Sequence, residues 1–87
     1  MTRSDRSLPE EYLREVEQRL ASATGGPWTS FVEGRDHTSG SSFIRTAADD
    51  IELSGATPAD QDFIAHARQD VAILLTELRR LRKNKIG

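Results

Sequence analysis

Cysteine is missing from this chain of 87 residues. Without a thiol, the chain can form no disulfide framework, no thiolate zinc site and no cysteine nucleophile. No stretch approaches the roughly 20 consecutive apolar residues that a membrane-spanning helix needs, and the N-terminal residues lack the apolar core of a signal peptide. We therefore expect a cytoplasmic protein that has no membrane partner and uses no thiol chemistry.

The chain also has little apolar material. Hydrophobic residues make up 36% of it, aromatic residues only 6% and charged residues 30%. A core of this size buries a small share of the surface, so a partner, often a second copy of the chain, helps such a domain to stay folded. We expect a single domain over residues 8–87. Residues 1–7 show no apolar periodicity, which predicts a flexible arm.

The last third of the chain carries the clearest pattern. Apolar residues at 64, 67, 71, 74, 78 and 81 alternate spacings of three and four, which predicts an amphipathic helix. Thr57 can cap this helix, Pro58 fits its first position, and Asp60 supplies the acidic half of a capping box. A helix from Pro58 to about Arg82 is longer than a small sheet can cover. The excess predicts a homodimer with an interface formed by Val71, Leu74, Leu75, Leu78 and Leu81.

A shorter amphipathic segment lies near the N-terminus. Apolar residues at 13, 16, 20 and 23 repeat at helical spacing, and Pro9 suits a first helical turn. Gly25 is a candidate left-handed terminator, and Pro27 prevents the helix from continuing. These signals predict a first helix from Pro9 to about Ala23.

Three short segments between the helices are rich in β-branched and aromatic residues. They cover residues 28–33, 42–47 and 51–53 and are separated by polar turns. Their alternation is imperfect, because Phe31 breaks the face that Trp28 and Val32 define. We expect Trp28 to be a structural residue where helix and sheet meet. The order predicts a two-layer α+β fold: a helix, a three-stranded antiparallel meander and a long helix.

The polar loop at residues 34–42 is the first candidate site. Its nine residues include no apolar side chain, and two glycines allow backbone N–H groups to turn inward. Such a loop suits a small anionic, nucleotide-like ligand. A solvated hairpin tip accounts for the same residues. No Walker or Rossmann spacing of glycines is present. The candidate binding residues of the loop are Arg35, Asp36, His37, Thr38 and Ser39.

The same loop contains residue types that occur in catalytic sites. Asp36 and His37 with a nearby serine are the components of a hydrolytic triad, but adjacent residues of one loop seldom converge on one attacking geometry. The two histidines, His37 and His66, lie far apart among scattered carboxylates, which is a weak pattern for a metal site. We therefore expect no enzyme, no metal and no cofactor.

Charge is unevenly distributed along the chain. Residues 25–57 carry two basic and five acidic side chains, whereas residues 58–87 carry six basic and four acidic ones. The cluster of Asp49, Asp50 and Glu52 suits a basic partner, or it prevents a sheet edge from pairing. The basic C-terminus suits nucleic-acid phosphates or the dipole of its own helix. The absence of interleaved aromatic residues there makes nucleic acid the less favoured partner.

Two segments resemble a group of small bacterial and phage-borne proteins. The first, Leu13–Trp28, is a predicted helix followed by Ala-Thr-Gly-Gly-Pro-Trp, and the second, Ala59–Arg82, contains Phe-Ile-Ala-His-Ala-Arg-Gln-Asp-Val. Ead-like accessory proteins of temperate phages carry similar segments. This chain has Gly25 and Ala72 where those proteins usually have proline. The resemblance implies a phage or mobile-element context and assigns no catalytic residue.

Together these observations predict a non-enzymatic accessory protein that binds another protein, with an immunity-like or anti-defence-like role. The alternatives are a protein that binds or sequesters a small anionic ligand with the 34–42 loop, and a nucleic-acid-binding accessory protein. The expected binding surface combines the loop with the acidic cluster. Its residues are Arg35, Asp36, His37, Thr38, Ser39, Asp49, Asp50 and Glu52.

Overall fold

A computed structural model describes residues 8–86, which form two helices and two short strands. In chain order these are α1 (Glu10–Ser22), β1 (Thr29–Phe31), β2 (Phe43–Arg45) and α2 (Pro58–Ile86). The α+β class is confirmed. The flexible arm expected at residues 1–7 lies outside the described residues.

The first helix begins and ends close to its predicted limits. The carbonyl oxygen of Pro9 accepts hydrogen bonds from two N–H groups in the first turn of α1. The distances are 3.1 Å from Tyr12 and 3.3 Å from Leu13. The predicted role of Gly25 is wrong, because Ala23 has already turned extended, with ψ of 156°. Gly25 is not among the glycines with positive φ. The helix therefore ends by a change of ψ before the glycine is reached.

The second helix has the N-terminus that its sequence predicts. Thr57 and Asp60 form a reciprocal capping box, in which the Thr57 N–H donates to Asp60 Oδ2 at 3.1 Å and the Asp60 N–H to Thr57 Oγ1 at 3.0 Å. The helix continues to Ile86, four residues beyond the predicted end at Arg82. No glycine or proline in that stretch stops it.

The sheet is smaller than predicted. β1 and β2 pair antiparallel with Thr29 opposite Arg45 and Phe31 opposite Phe43. The expected third strand at residues 51–53 is reduced to one bridge, in which Ile51 and Ile44 exchange two backbone hydrogen bonds of 2.8 Å. The chain turns immediately afterwards, with Gly55 at φ +83°. Too few residues separate the two turns for a longer ladder, so the three-stranded meander is not formed.

The core lies where α2 meets α1 and the inner face of the sheet. Its buried apolar side chains come from every part of the fold: Leu13, Val32, Ile44, Ala65 and Leu75. Successive strand residues point to opposite faces. Ile44 is buried against the helices, so its neighbours Phe43 and Arg45 point outward.

The described part of the chain is elongated, with extents of 54 × 29 × 18 Å. Its radius of gyration is 16.8 Å, whereas a compact domain of this length would have about 12 Å. The 29 residues of α2 give it a length of about 43 Å, and the 13 residues of α1 cover less than half of that. None of the described helices is both long and apolar enough to cross a bilayer.

Candidate functional site

A buried glutamine joins the long helix to both strands. Gln61 is 3% exposed, and its Nε2 donates to the Phe31 carbonyl at 3.2 Å and the Phe43 carbonyl at 3.1 Å. The same nitrogen lies 2.9 Å from Ser30 Oγ. A polar side chain this deeply buried needs such partners. Gln61 therefore sets the position of the sheet on α2.

A second glutamine holds the segment that precedes β1. Gln69 Oε1 accepts the Trp28 N–H at 2.7 Å, and its Nε2 donates to the Trp28 carbonyl at 3.1 Å. The Thr24 carbonyl accepts hydrogen bonds from Arg68 Nε at 3.1 Å and from the Trp28 indole at 3.0 Å. The Gly26–Pro27 peptide bond between these contacts is cis. The contacts of Trp28 join this segment to α2, which is a structural role.

The start of the polar loop is organised by its own charged side chains. Asp36 Oδ2 accepts the Val32 N–H at 2.8 Å and pairs with the Arg35 guanidinium at 2.8 Å. Arg35 also forms a bidentate pair with Asp62 of α2, with distances of 2.8 and 3.0 Å. The Arg35 partner lowers the pKa of Asp62 to about 2, with help from Ser30. Arg35 and the Val32 N–H lower the pKa of Asp36, and the carboxylates raise that of Arg35.

These contacts leave the loop little capacity to bind an anion. Arg35 is held between two carboxylates, so an anion would have to displace one of them. The Arg35 and Asp36 N–H groups both donate to the Val32 carbonyl, and the Gly34 N–H donates to the His37 carbonyl. The donors that an anion-binding nest would need there already have partners.

The side chains of Gln69 and Asp36 form hydrogen bonds with backbone groups along the outer edge of β1. Because Ile44 directs both backbone groups to Ile51, the opposite residue Ser30 directs its own away from β2. The backbone N–H and C=O groups of Trp28 and Val32 also point away from β2. The Trp28 groups are bonded by Gln69, and those of Val32 by Asp36 and the loop. Ser30 lies between them in a cleft of about 350 Å³ that Asp62 and Gln69 also line.

The face of the sheet that points away from the helices carries an aromatic cluster. The Phe31 and Phe43 rings stack with centroids 5.1 Å apart and planes 18° from parallel. The Arg45 guanidinium lies over both rings, 4.9 Å from the Phe31 centroid and 5.6 Å from that of Phe43. The His37 ring lies 5.6 Å from the Phe43 ring. Both phenylalanines remain partly exposed.

Acidic side chains border this cluster on one side. Asp50 Oδ1 lies 4.0 Å from Arg45 Nε, and strand alternation places Glu52 on the same side of the Ile44–Ile51 bridge as Asp50. Both are exposed. We refer to the surface formed by Phe31, Phe43, Arg45, Asp50 and Glu52 as the outer sheet face.

The predicted binding residues do not form one cluster. The loop leaves the Phe31–Phe43 end of the sheet, whereas Asp49 and Asp50 follow Arg45 at the opposite end. Strands of three residues separate these ends by about 10 Å. Asp49 contributes its carbonyl oxygen, which accepts the Thr46 hydroxyl at 2.7 Å. Of the predicted set, Asp50 and Glu52 lie on the outer sheet face and His37 lies beside it.

The remaining loop residues do not combine into a catalytic or metal-binding arrangement. His37 Nδ1 lies 2.6 Å from the Ser39 carbonyl, and because a carbonyl only accepts, this nitrogen carries the proton. Asp36 is directed to Arg35 and the Val32 N–H, so the aspartate does not orient the imidazole. Thr38 and Ser39 are exposed. Within residues 8–86, no group of three or more potential ligands could hold a metal ion.

The basic C-terminal segment pairs with acidic residues of the chain itself. Arg79 bridges to α1, where it contacts Glu10 at 2.7 Å and Glu17 at 2.9 Å, and it lowers the pKa of Glu17. Arg80 pairs with Glu77 in the same helix, and Arg82 donates to the Leu8 carbonyl. Three of the arginines that a nucleic acid would need therefore have partners.

The predicted dimer residues fall into two groups. Leu75 is 7% exposed and belongs to the core of the protomer, so its place in the interface is corrected. Leu74 and Leu81 are exposed, at 61% and 49%. Val71 and Leu78 are half-buried and line a groove between α1 and α2. Four of the five residues are thus accessible to another molecule.

Sequence patterns missed the aromatic part of the outer sheet face. Phe31 breaks the apolar face of Trp28 and Val32 because it points to the other side of the sheet. That break in alternation was the sequence signal that could have revealed an aromatic residue on the outer face of the sheet. Phe43 and Arg45 share its face, since they are two residues apart and paired with Phe31 and Thr29.

A scan against protein-family models found no match, and searches of curated proteins and solved structures also found none. The two segments on which the predicted resemblance to Ead-like proteins rests lie against each other in the fold. Arg68 and Gln69 of the second segment bond to Thr24 and Trp28 of the first. These hydrogen bonds hold the two segments together in the folded chain.

Proposed function

We propose that this chain is a non-enzymatic accessory protein that binds a basic surface of another protein with its outer sheet face. The observation that carries the proposal is the stacked Phe31–Phe43 pair, which lies partly exposed on a sheet face bordered by carboxylates. Aromatic residues and arginine dominate the energetic centres of protein interfaces, where they fill pockets of the partner. Arg45 already lies over the rings, as such an anchor would.

The charges around the aromatic pair define the chemistry of the partner. Asp50 and Glu52 lie beside the rings, and exposed Glu33 and Asp49 follow β1 and β2 at the two ends of the sheet. Lysine or arginine side chains of a partner would meet these carboxylates, and their alkyl stems and cations would pack on the phenylalanine rings. The complementary charge speeds encounter and excludes acidic partners.

The resemblance to phage-borne proteins supplies a context for this binding activity. An acidic, aromatic face on a small protein suits the capture of a basic surface on a host or competitor protein. We infer an accessory role of phage or mobile-element type, either immunity-like or anti-defence-like, carried out in the cytoplasm.

The two other candidate functions lack a comparable observation. An anionic ligand at the 34–42 loop would compete with Asp36 and Asp62 for Arg35. A nucleic acid at the C-terminus would compete with Glu10, Glu17 and Glu77 for the arginines of α2. On the outer sheet face, Arg45 lies over the rings and 4.0 Å from Asp50, whereas Glu52 is exposed and both rings are partly exposed.

Titration by nuclear magnetic resonance tests the proposal. A peptide of alternating lysine and leucine should shift the backbone amide signals of Phe31, Phe43 and Glu52, whereas a glutamate–leucine peptide should not. The double variant Asp50→Lys, Glu52→Lys should lose this response. The control Asp70→Lys, which reverses one exposed charge on α2, should keep it. Shifts confined to residues 34–42 on addition of ATP, or to residues 79–84 on addition of an oligonucleotide, would overturn the proposal.

A further inference from the structure

An apolar groove follows the long helix from its first turns to Leu78. It consists of three adjoining depressions of about 370, 280 and 170 Å³. The first two share Ile64, and the last two share Val16 and Val71. Leu8, which precedes α1, and Tyr12 on α1 extend one wall, and Leu74 and Leu78 extend the wall on α2. The depressions therefore form one continuous surface from Leu53 to Leu78.

More large apolar side chains border this groove than fill the core. Five apolar residues are buried in the described chain, and one of them is an alanine. The exposed large residues along the groove and its ends are Leu8, Tyr12, Phe63, Ile64, Leu74 and Leu81. Monomeric proteins rarely leave a contiguous apolar strip of this kind uncovered.

We propose that a second copy of the chain covers the groove, with the two α2 helices antiparallel across a twofold axis. In this arrangement each apolar residue of the predicted stripe lies opposite one residue of the second copy. The two residue numbers of every such pair add up to 145. Ile64 lies opposite Leu81 of the second copy, Ala67 opposite Leu78, and Val71 opposite Leu74. Every stripe position finds an apolar partner in this register, which is the condition for a self-complementary twofold interface.

Charge decides between the antiparallel and the parallel arrangement. The N-terminal half of α2 carries Asp60, Asp62 and Asp70 against one basic residue, Arg68, whereas basic residues predominate in the last turns. An antiparallel pair brings unlike charges together at both ends, and the helix dipoles oppose one another. A parallel pair would place like charges at both ends.

One pair of residues opposes this register. Asp70 comes near Glu77 of the second copy on the flank of the α2 pair. Glu77 already lies against Arg80, which offsets its charge. Exposed flanking pairs contribute a few tenths of a kcal/mol, so three apolar layers on each side of the axis outweigh this pair.

Two neighbouring residues provide a matched test of the interface. Leu74 is 61% exposed and lies in the groove, whereas Ile73 is 63% exposed and lies outside it. Sedimentation at tens of micromolar should show a dimer for the unmodified chain and for Ile73→Glu, and a monomer for Leu74→Glu. Circular dichroism should show that both variants keep their helices, because neither side chain is buried. A monomeric unmodified chain, or equal loss of the dimer in both variants, would overturn the proposal.

Spin-label distances test the antiparallel register in the folded protein. The chain has no cysteine, so the variants Thr76→Cys and Asn84→Cys each offer one thiol for labelling. Position 76 lies opposite 69 of the second copy, an axial offset of about 10 Å, and position 84 lies opposite 61, an offset of about 35 Å. A short distance at 76 with a long one at 84 supports the register. Equal short distances would show parallel helices and end the proposal.

Both outcomes are independent of the outer sheet face, because none of the five residues of that face lines the groove. Loss of the dimer in Leu74→Glu should leave the response to the basic peptide at Phe31 and Phe43 intact. Failure of peptide binding would likewise leave the sedimentation result unchanged.

Discussion

At the scale of single residues, two glutamines of α2 hydrogen-bond to the backbone of the sheet region. Gln69 pairs with both backbone groups of Trp28, and Gln61 donates to the carbonyls of two strands. Gln69 supplies hydrogen bonds that a neighbouring strand would otherwise supply, and Gln61 adds a second donor to carbonyls that are already paired within the ladder. This allows a two-stranded sheet to lie directly on a helix without leaving its buried polar groups unpaired.

The substitution Gln61→Leu should therefore destabilise the fold. It keeps the side chain's approximate size but removes the Nε2 donor, whose hydrogen bonds to the Phe31 and Phe43 carbonyls add to those that these carbonyls accept within the β1–β2 ladder. Each lost hydrogen bond costs about 0.5–1.5 kcal/mol in the free energy of unfolding, so urea denaturation should show a loss of about 1–3 kcal/mol. The control Gln18→Leu changes an exposed residue of α1 and should alter that free energy by less than about 0.5 kcal/mol. Equal effects of the two substitutions would contradict the role of Gln61.

Sequence patterns could not reveal these residue-scale contacts. Glutamine in an amphipathic helix normally faces solvent, and no periodicity distinguishes Gln61 from Gln18. The Arg35–Asp62 pair joins residues 27 positions apart in the sequence, so its existence depends on the packing of the loop on α2. The loop's charged residues were predicted to bind a partner, but Arg35 and Asp36 are directed to neighbouring groups of the fold.

At the scale of elements, α1 is attached to α2 by a buried leucine and by an arginine of α2. Leu13 is buried, and Arg79 joins Glu10 and Glu17 across the helix pair. Guanidinium groups that bind two carboxylates hold defined geometry better than isolated surface pairs do. Arg79 thus fixes the position of α1, which forms one wall of the apolar groove.

Arg79→Ala should loosen α1 more than Arg80→Ala does. Arg80 pairs only with Glu77 in its own helix, so its removal leaves the contact between helices intact. Hydrogen exchange of the α1 amides should accelerate in the Arg79 variant and stay nearly unchanged in the Arg80 variant. The difference should shrink at high salt, because both pairs are partly exposed. Exchange rates that rise equally in the two variants would show that Arg79 does not clamp α1.

The helices were largely predictable from sequence, whereas the sheet was not. Capping residues and apolar spacing are local signals, and they placed the start of α2 at Pro58 as observed. Strand pairing depends on partners far along the chain. The segment at 51–53 has β-branched and apolar residues, but neighbouring turns limit it to one bridge at Ile51.

At the scale of the whole molecule, stability should depend on carboxylates that arginine keeps ionised. The pKa values of Asp36, Asp62 and Glu17 are all lowered in the folded chain, and that of Asp62 is about 2. In the unfolded chain the pKa of aspartate and glutamate is about 4. Their contribution to folding is therefore complete above about pH 4 and is lost as the pH falls through the folded values.

The melting temperature should accordingly fall between about pH 4 and pH 2. The variant Arg35→Gln removes the partner that lowers two of these pKa values, so it should be less stable than the unmodified chain at pH 6. The two should converge as the pH approaches 2, where the carboxylates are protonated in both. Melting curves recorded across this range measure the gap. A gap that stays constant would mean that Arg35 acts through packing and not through its charge.

The hydrogen bonds along the outer edge of β1 affect how readily copies of the chain aggregate. An unpaired strand edge is a template on which strands from other molecules add, and repeated addition produces cross-β fibrils. At this edge Gln69 already bonds Trp28, while Asp36 and its loop bond Val32. An arriving strand would find one available residue, Ser30, and no ladder. The β1 edge therefore offers no ladder on which a fibril could grow, even though the described helices display much apolar surface.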